Sequence, residues 1–178
     1  MILLALAIGL QRGKRYGCFL RHNGLAMNWH KLFFEFGGRI RRREFWAGTA
    51  ILIAVQLVVL MPLADAYGVD LSKQPQPVWF RNIVLFVDIA LAWPTMAVFA
   101  KRQHDRNQTA YLSYLAVALN VFYSMLDAFG VLQTAKGYTP LGYAAGLLVL
   151  GILAVIVVEL GFRPGTPGPN DFGDEPQT

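Results

Sequence analysis

From about residue 46 onward the chain alternates long apolar runs with short polar stretches. The apolar runs cover about 46–64, 83–100, 111–132 and 141–162. Each approaches the roughly 20 residues a helix needs to cross the hydrocarbon of a bilayer. The first is interrupted only by Thr49 and Gln56; the second carries Asp88 and the pair Trp93-Pro94, where the lost amide predicts a kink. Upstream, Trp29, Leu32, Phe33 and Phe36 fall at i, i+3, i+4 and i+7, with His30, Lys31 and Glu35 opposite. That spacing predicts a short amphipathic helix over 27–37, lying in the membrane interface and ended by Gly37 and Gly38. The stretch 65–82, with Asp65, Asp70, Pro75 and Pro77, reads as a loop, 101–107 as a charged turn and 133–140 as a second loop. The tail, 164–178, is a string of turn formers.

The expected fold is an all-α integral membrane protein. Four transmembrane helices within a membrane domain, 38–163, are preceded by the short amphipathic interfacial helix. Residues 1–26 show no periodicity. Met1 to Leu10 is apolar but too short to span, and its charges follow the apolar run, whereas a secretory signal places them in front. The segment reads as a non-native extension with Met27 as the start, or as a disordered but genuine one.

Composition agrees with the pattern: 55% of the 178 residues are hydrophobic and 15% charged, where a soluble domain carries about a quarter charged. The formal charge of +5 owes most to Arg12, Lys14, Arg15 and Arg21; without residues 1–26 it falls to about +1, which argues against a nucleic-acid partner. Cys18 is the only cysteine, so no internal disulfide or thiolate cluster is expected. Basic residues set the orientation. Lys31, Arg39, Arg41, Arg42, Arg43, Lys101, Arg102, Arg106 and Arg163 fall on one side of the four spans, against Lys73, Arg81 and Lys136 on the other. By the positive-inside rule both termini of the multi-pass protein are cytoplasmic. No internal repeat suggests an inverted-repeat transporter.

Polar residues inside the spans keep helical spacing. Ser113, Asn120, Ser124 and Asp127 share a face, as do Thr49 and Gln56, and Asp88 and Thr95. Such stripes should face the bundle interior, because charges are costly in lipid. One reading is a polar path with Asp65, Asp88 and Asp127 near its outer end. The other, which is favoured, is interhelical hydrogen bonding and pairing with Arg81 or Lys136. His104 and Asp105 suggest a proton relay or, with His30, Glu44 and Glu159, a metal site. Charge pairing of Glu44 or Asp105 with Arg102 or Arg106, and of Glu159 with Arg163, is the simpler account. Gly142 and Gly146 form a small-xxx-small pattern that permits close helix contact. No catalytic constellation, cofactor motif or metal-ligand spacing is present in the sequence.

Three ordered motifs resemble the family designated domain of unknown function 805 (YhaH-like small bacterial inner-membrane proteins). They are the junction Gly38, Arg39, Arg42, Glu44, Phe45 and Trp46; the turn Lys101, Arg102, His104 and Asp105; and the tail Gly165, Thr166, Gly168, Pro169, Asn170 and Gly173. After Asp105 the chain departs from the family's Gly/Ser-rich stretch and paired tryptophans. The resemblance implies a multi-span inner-membrane protein without an assigned activity. With the orientation above, all three motifs fall on the cytoplasmic face, and the tail is expected to fold under the 101–107 turn. The expected function is structural or interactive: a basic inner face that meets anionic lipid, a membrane-protein partner or a second copy. The alternative is a small transporter or channel component using Gln56, Asp88, Asn120, Ser124 and Asp127.

Overall fold

The computed structural model describes residues 28–73 and 75–176, so the two accounts of the N-terminal extension lie outside the described residues. Five helices and one small hairpin follow in order: α1 (Trp29–Phe34), α2 (Arg42–Ala66), α3 (Val78–Asp105), α4 (Tyr111–Ala128), β1 (Gln133–Thr134), β2 (Gly137–Tyr138) and α5 (Pro140–Phe162).

Helix α1 is shorter than the periodicity implied. Asn28 caps it by accepting from the Lys31 amide at 3.0 Å, and Glu35 is already extended, so Phe36 lies outside the helix. Leu32 is buried, and α1 packs on α3. Helix α2 begins four residues before the expected span and continues through Pro62, which the sequence reading passed over. Helix α3 is longer than expected at both ends. The 101–107 stretch is not a surface turn: residues 101–105 complete the helix, and the chain reverses only at Arg106 and Asn107, the latter with φ of 55°. Pro94 sits inside α3, which runs unbroken through it. Helix α4, by contrast, stops at Ala128 rather than Leu132. Gly130 takes a left-handed φ of 76°, and the chain then forms the antiparallel hairpin pairing Gln133 with Tyr138 and Thr134 with Gly137. Thr139 caps α5 by accepting from the Gly142 amide at 3.0 Å, with Pro140 in the first turn.

Three helices are long and apolar enough to cross a membrane: Arg42–Ala66, Val78–His104 and Pro140–Phe162. Only 17%, 22% and 11% of their most apolar windows are buried, so their hydrophobic faces point outward. Helix α4, with Asn120 and Asp127 in 18 residues, is not among the three. The buried core (Leu32, Ile40, Phe45, Leu52, Val98, Phe99, Ala116, Ile156 and Leu160) draws on α1 to α5. It is concentrated toward the end where α1, the start of α2 and the ends of α3 and α5 meet.

Candidate functional site at the basic end

The end of α3 is unusual in burying a run of polar side chains: Lys101, Arg102, Gln103 and Asp105 are each at most 5% exposed. Their neighbours explain it. A helix leaves its last carbonyls unpaired and concentrates partial negative charge there. Lys101 Nζ donates to the carbonyls of Lys31 and, at 2.5 Å, Leu32, at the end of α1. Arg102 donates from Nε to Leu160 O (2.7 Å) and from Nη2 to Arg163 O (2.6 Å), at the end of α5. Trp46 Nε1 adds a bond to Gly161 O at 3.2 Å. Cations at the end of one helix thus satisfy the orphan carbonyls of two others.

Asp105 is the counter-charge. Its carboxylate accepts from Arg102 Nη1 and from Arg39 Nε at 3.0 Å, with Arg39 Nη2 also at 3.0 Å; the Arg39 and Arg102 side chains are 1% exposed and that of Asp105 is 7%. Arg39 continues into the tail, donating to Thr166 O (2.6 Å), Gly168 O (2.6 Å) and Gly173 O (3.3 Å). The tail answers through Thr166, whose amide (2.8 Å) and hydroxyl (3.1 Å) both donate to Asp105 O. A side chain on Gly165 would collide with the Asp105 carboxylate, so only glycine lets the tail pass this close. Asn170 Nδ2 donates to His104 O (2.8 Å) and Thr166 Oγ1 (2.9 Å), its Oδ1 accepts from the Phe172 amide (2.9 Å), and Phe172 stacks on the His104 ring at 4.0 Å. Gly168 and Gly173 supply left-handed turns at φ of 73° and 126°, and Pro169 is exposed between them.

The three motifs therefore meet in one cap. Gly38 has φ of 85° and turns the chain into the cap; Phe45 is fully buried against Phe99. Glu44 caps α2 by accepting from the Arg41 amide at 2.9 Å, rather than pairing with Arg102 or Arg106. Arg42 is exposed, 3.4 Å from Phe162 O. Glu159 pairs with Arg163 as expected, and also with Arg106, each at 2.9 Å. Among the described residues no three His, Cys, Asp or Glu side chains converge to hold a metal. Lys101, Gly161 and Thr166 complete the cap; Lys101 and Thr166 fall in the motifs, whereas nothing in the sequence singled out Gly161.

The polar residues expected within the spans separate into two groups. Asp88 accepts from Gln56 Nε2 at 3.2 Å and from Ser124 Oγ. Asp88 and Gln56, with Thr49 and Asn120, line a cavity of about 280 Å³ among α2, α3, α4 and α5. Asp127 instead accepts from Gln133 Nε2 at 2.5 Å, and Asp65 is exposed. The three acids do not gather into one cluster, because α4 ends early and the hairpin claims Asp127. Among the described residues no ion pair joins Arg81 or Lys136 to either intramembrane acid. Gly142 lies against Leu132 and Tyr138 of the hairpin region, and Gly146 against Tyr123 of α4, so only the second allows a helix–helix approach.

Fold and site together define a helical protein with three helices of membrane-crossing length and apolarity, closed at its basic end by an arginine–aspartate cap. The cap's polar groups are mostly turned on one another, an arrangement suited to holding chain segments together. The chain belongs to the family described as Protein of unknown function (DUF805), whose model matches residues 33–174. It is 31% identical over 147 residues to the uncharacterized protein YiiR of Escherichia coli (strain K12), an alignment covering 81% of this chain and 87% of that protein. The same values hold for YiiR of Escherichia coli O157:H7. No solved structure matches the chain.

Proposed function

We propose that this is a four-span protein of the bacterial inner membrane, with α1 in the inner interface and both termini in the cytoplasm. It serves as a structural or interaction protein that presents a basic face to anionic lipid. The observation that carries this reading is the sorting of the basic residues. Arg39, Lys101 and Arg102 turn inward, whereas Lys31, Arg42, Arg43 and Arg163 are exposed, with Trp46 and Phe162 exposed beside the arginines. Cations next to interfacial aromatics suit a headgroup layer. For α4 as a span, support comes from Leu112, Leu115 and Phe122, all outward, with Ser113, Val117 and Ser124 buried. A membrane-protein partner or a second copy would meet the same outward faces.

Each cation near an anionic leaflet contributes about 1 kcal/mol. Arg42→Glu with Arg43→Glu should therefore lower retention of anionic phospholipid by well over tenfold in mild detergent, leaving neutral lipid unaffected. Unchanged retention in the folded double variant would refute the lipid role. Topology is tested separately, by thiol labelling of single cysteines at Lys136 and Asp171 in a Cys18→Ser background. Outer labelling is expected for the first and inner for the second. The transport reading rests on the Asp88 cavity alone, since Asp127 belongs to a different polar group.

A further inference from the structure

Among the described residues, Asp88 is the only charged one lining the cavity of about 280 Å³. Both groups that donate to it, the Gln56 amide and the Ser124 hydroxyl, are neutral, so its charge has no counter-ion there. A carboxylate held away from water without a cation is costly, more so in a bilayer. Thr49, 9% exposed, also lines the cavity, and its buried Oγ1 has no hydrogen-bond partner among the described residues. Asn120 adds a further polar group. Most of the remaining wall is apolar, formed by residues such as Leu52, Phe99, Val117 and Leu153. Ile53, which also lines it, is 54% exposed, so the cavity reaches the side of the bundle there.

We propose that this cavity binds a small lipophilic ammonium ion. One positive charge answers Asp88, and the ammonium hydrogens are shared with the Asn120 carbonyl. The hydrocarbon part fills the apolar walls formed by residues such as Leu91 and Leu153. The volume is near the lower limit of small-molecule sites, which sets a ligand of one ring or a short branched chain. A bare metal ion would leave those walls unmatched. The sideways opening admits a solute that partitions into lipid. The inference concerns binding and is independent of the lipid role of the basic face.

The test titrates the full chain in lipid nanodiscs, by calorimetry, with 2-phenylethylamine and with its uncharged counterpart 2-phenylethanol. Saturable binding of the amine is expected, at least about tenfold tighter than the alcohol. Asp88→Asn should weaken the amine about tenfold and leave the alcohol unchanged; Asn120→Leu should weaken the amine several-fold. Sodium chloride, against a choline chloride control, should not displace the amine. Equal affinities for amine and alcohol would overturn the proposal, as would absence of saturable binding or displacement by sodium. Asn120→Leu removes the side-chain amide and keeps its approximate shape. If Asp88→Asn fails to fold, an unchanged amine affinity in Asn120→Leu overturns the proposal.

Discussion

Replacing Asp105 with asparagine should release the tail while leaving the helices in place. The carboxylate is the only acid touching Arg39 and Arg102 among the described ion pairs, and all three side chains are nearly inaccessible to water. Asparagine keeps the shape and one acceptor oxygen, but its amide turns a donor toward one of two guanidinium groups. Breaking a buried ion pair on one side costs about 3–5 kcal/mol, because the partner charge stays buried and uncompensated. The retained oxygen puts Asp105→Asn at the lower end, about 3 kcal/mol, which is roughly a 150-fold rise in opening of the cap. Its weakest attachment is the tail, held to the junction by three Arg39 bonds and to α3 by Thr166 and Asn170. Hydrogen exchange should therefore accelerate by about two orders of magnitude in residues 164–176, with little change in the 133–138 hairpin. Arg39→Lys keeps the charge but loses the planar fork that reaches Asp105, Thr166 and Gly168 together, and should show a smaller acceleration confined to the same segment. An Asp105→Asn protein whose tail exchanges within about threefold of the parent would refute the claim that this ion network holds the cap.

Gly165→Ala pushes a methyl into the Asp105 carboxylate, so it should cost about 1–3 kcal/mol in thermal unfolding and speed exchange in the tail; an unchanged melting temperature would contradict the close approach. Trp46→Phe keeps most of the ring but removes the donor to Gly161 O, and a loss of about 1 kcal/mol is expected by the same measurement. Asn170→Asp leaves His104 O without its donor and sets carboxylate oxygen against carbonyl oxygen. It should free Phe172 from the His104 ring, read as a loss of ring-current shift in the Phe172 NMR signals. In the loop after α2, bonds from Ser72 and the Lys73 ammonium hold the Asp70 carboxyl down to about 2 from its ordinary 3.8. The folded value lies below the unfolded one, so the turn's contribution is complete above pH 4 and is lost as pH falls through about 2. Carboxyl-carbon NMR should give that midpoint, and Ser72→Ala should move it upward.

Helix positions were largely legible because lipid-facing surfaces must be apolar along their whole length, a signal that needs no tertiary information. Ends were less so. Residues 101–105 read as a turn since Lys101, Arg102 and Asp105 look like solvated charges. They are helical and buried because helix ends and a counter-ion far away in sequence surround them. The early end of α4 was hidden by the apolar Phe129, Val131 and Leu132, whose hydrophobicity reads equally well as helix or as the approach to a hairpin. Motif order brought Arg39, Asp105 and Asn170 to notice as a set. The Arg39–Asp105 pair itself, 66 residues apart, has no local pattern that would reveal it.

The basic residues at this end divide between the surface and the interior. Once folded, three of them leave the surface: Arg39 and Arg102 on Asp105, and Lys101 on the end of α1. Three buried cations beside one carboxylate would be untenable by charge alone. They are tolerated because main-chain carbonyls, several from helix C-termini, supply the remaining negative potential. Such a cap depends on all its segments at once. The junction cannot keep Arg39 buried without the tail's carbonyls, and the tail has no internal core of its own to hold it. The cap therefore reports on assembly of the whole bundle: only a chain whose α2 start, α3 end and α5 end all meet at one end can bring Arg39, Asp105 and Thr166 together.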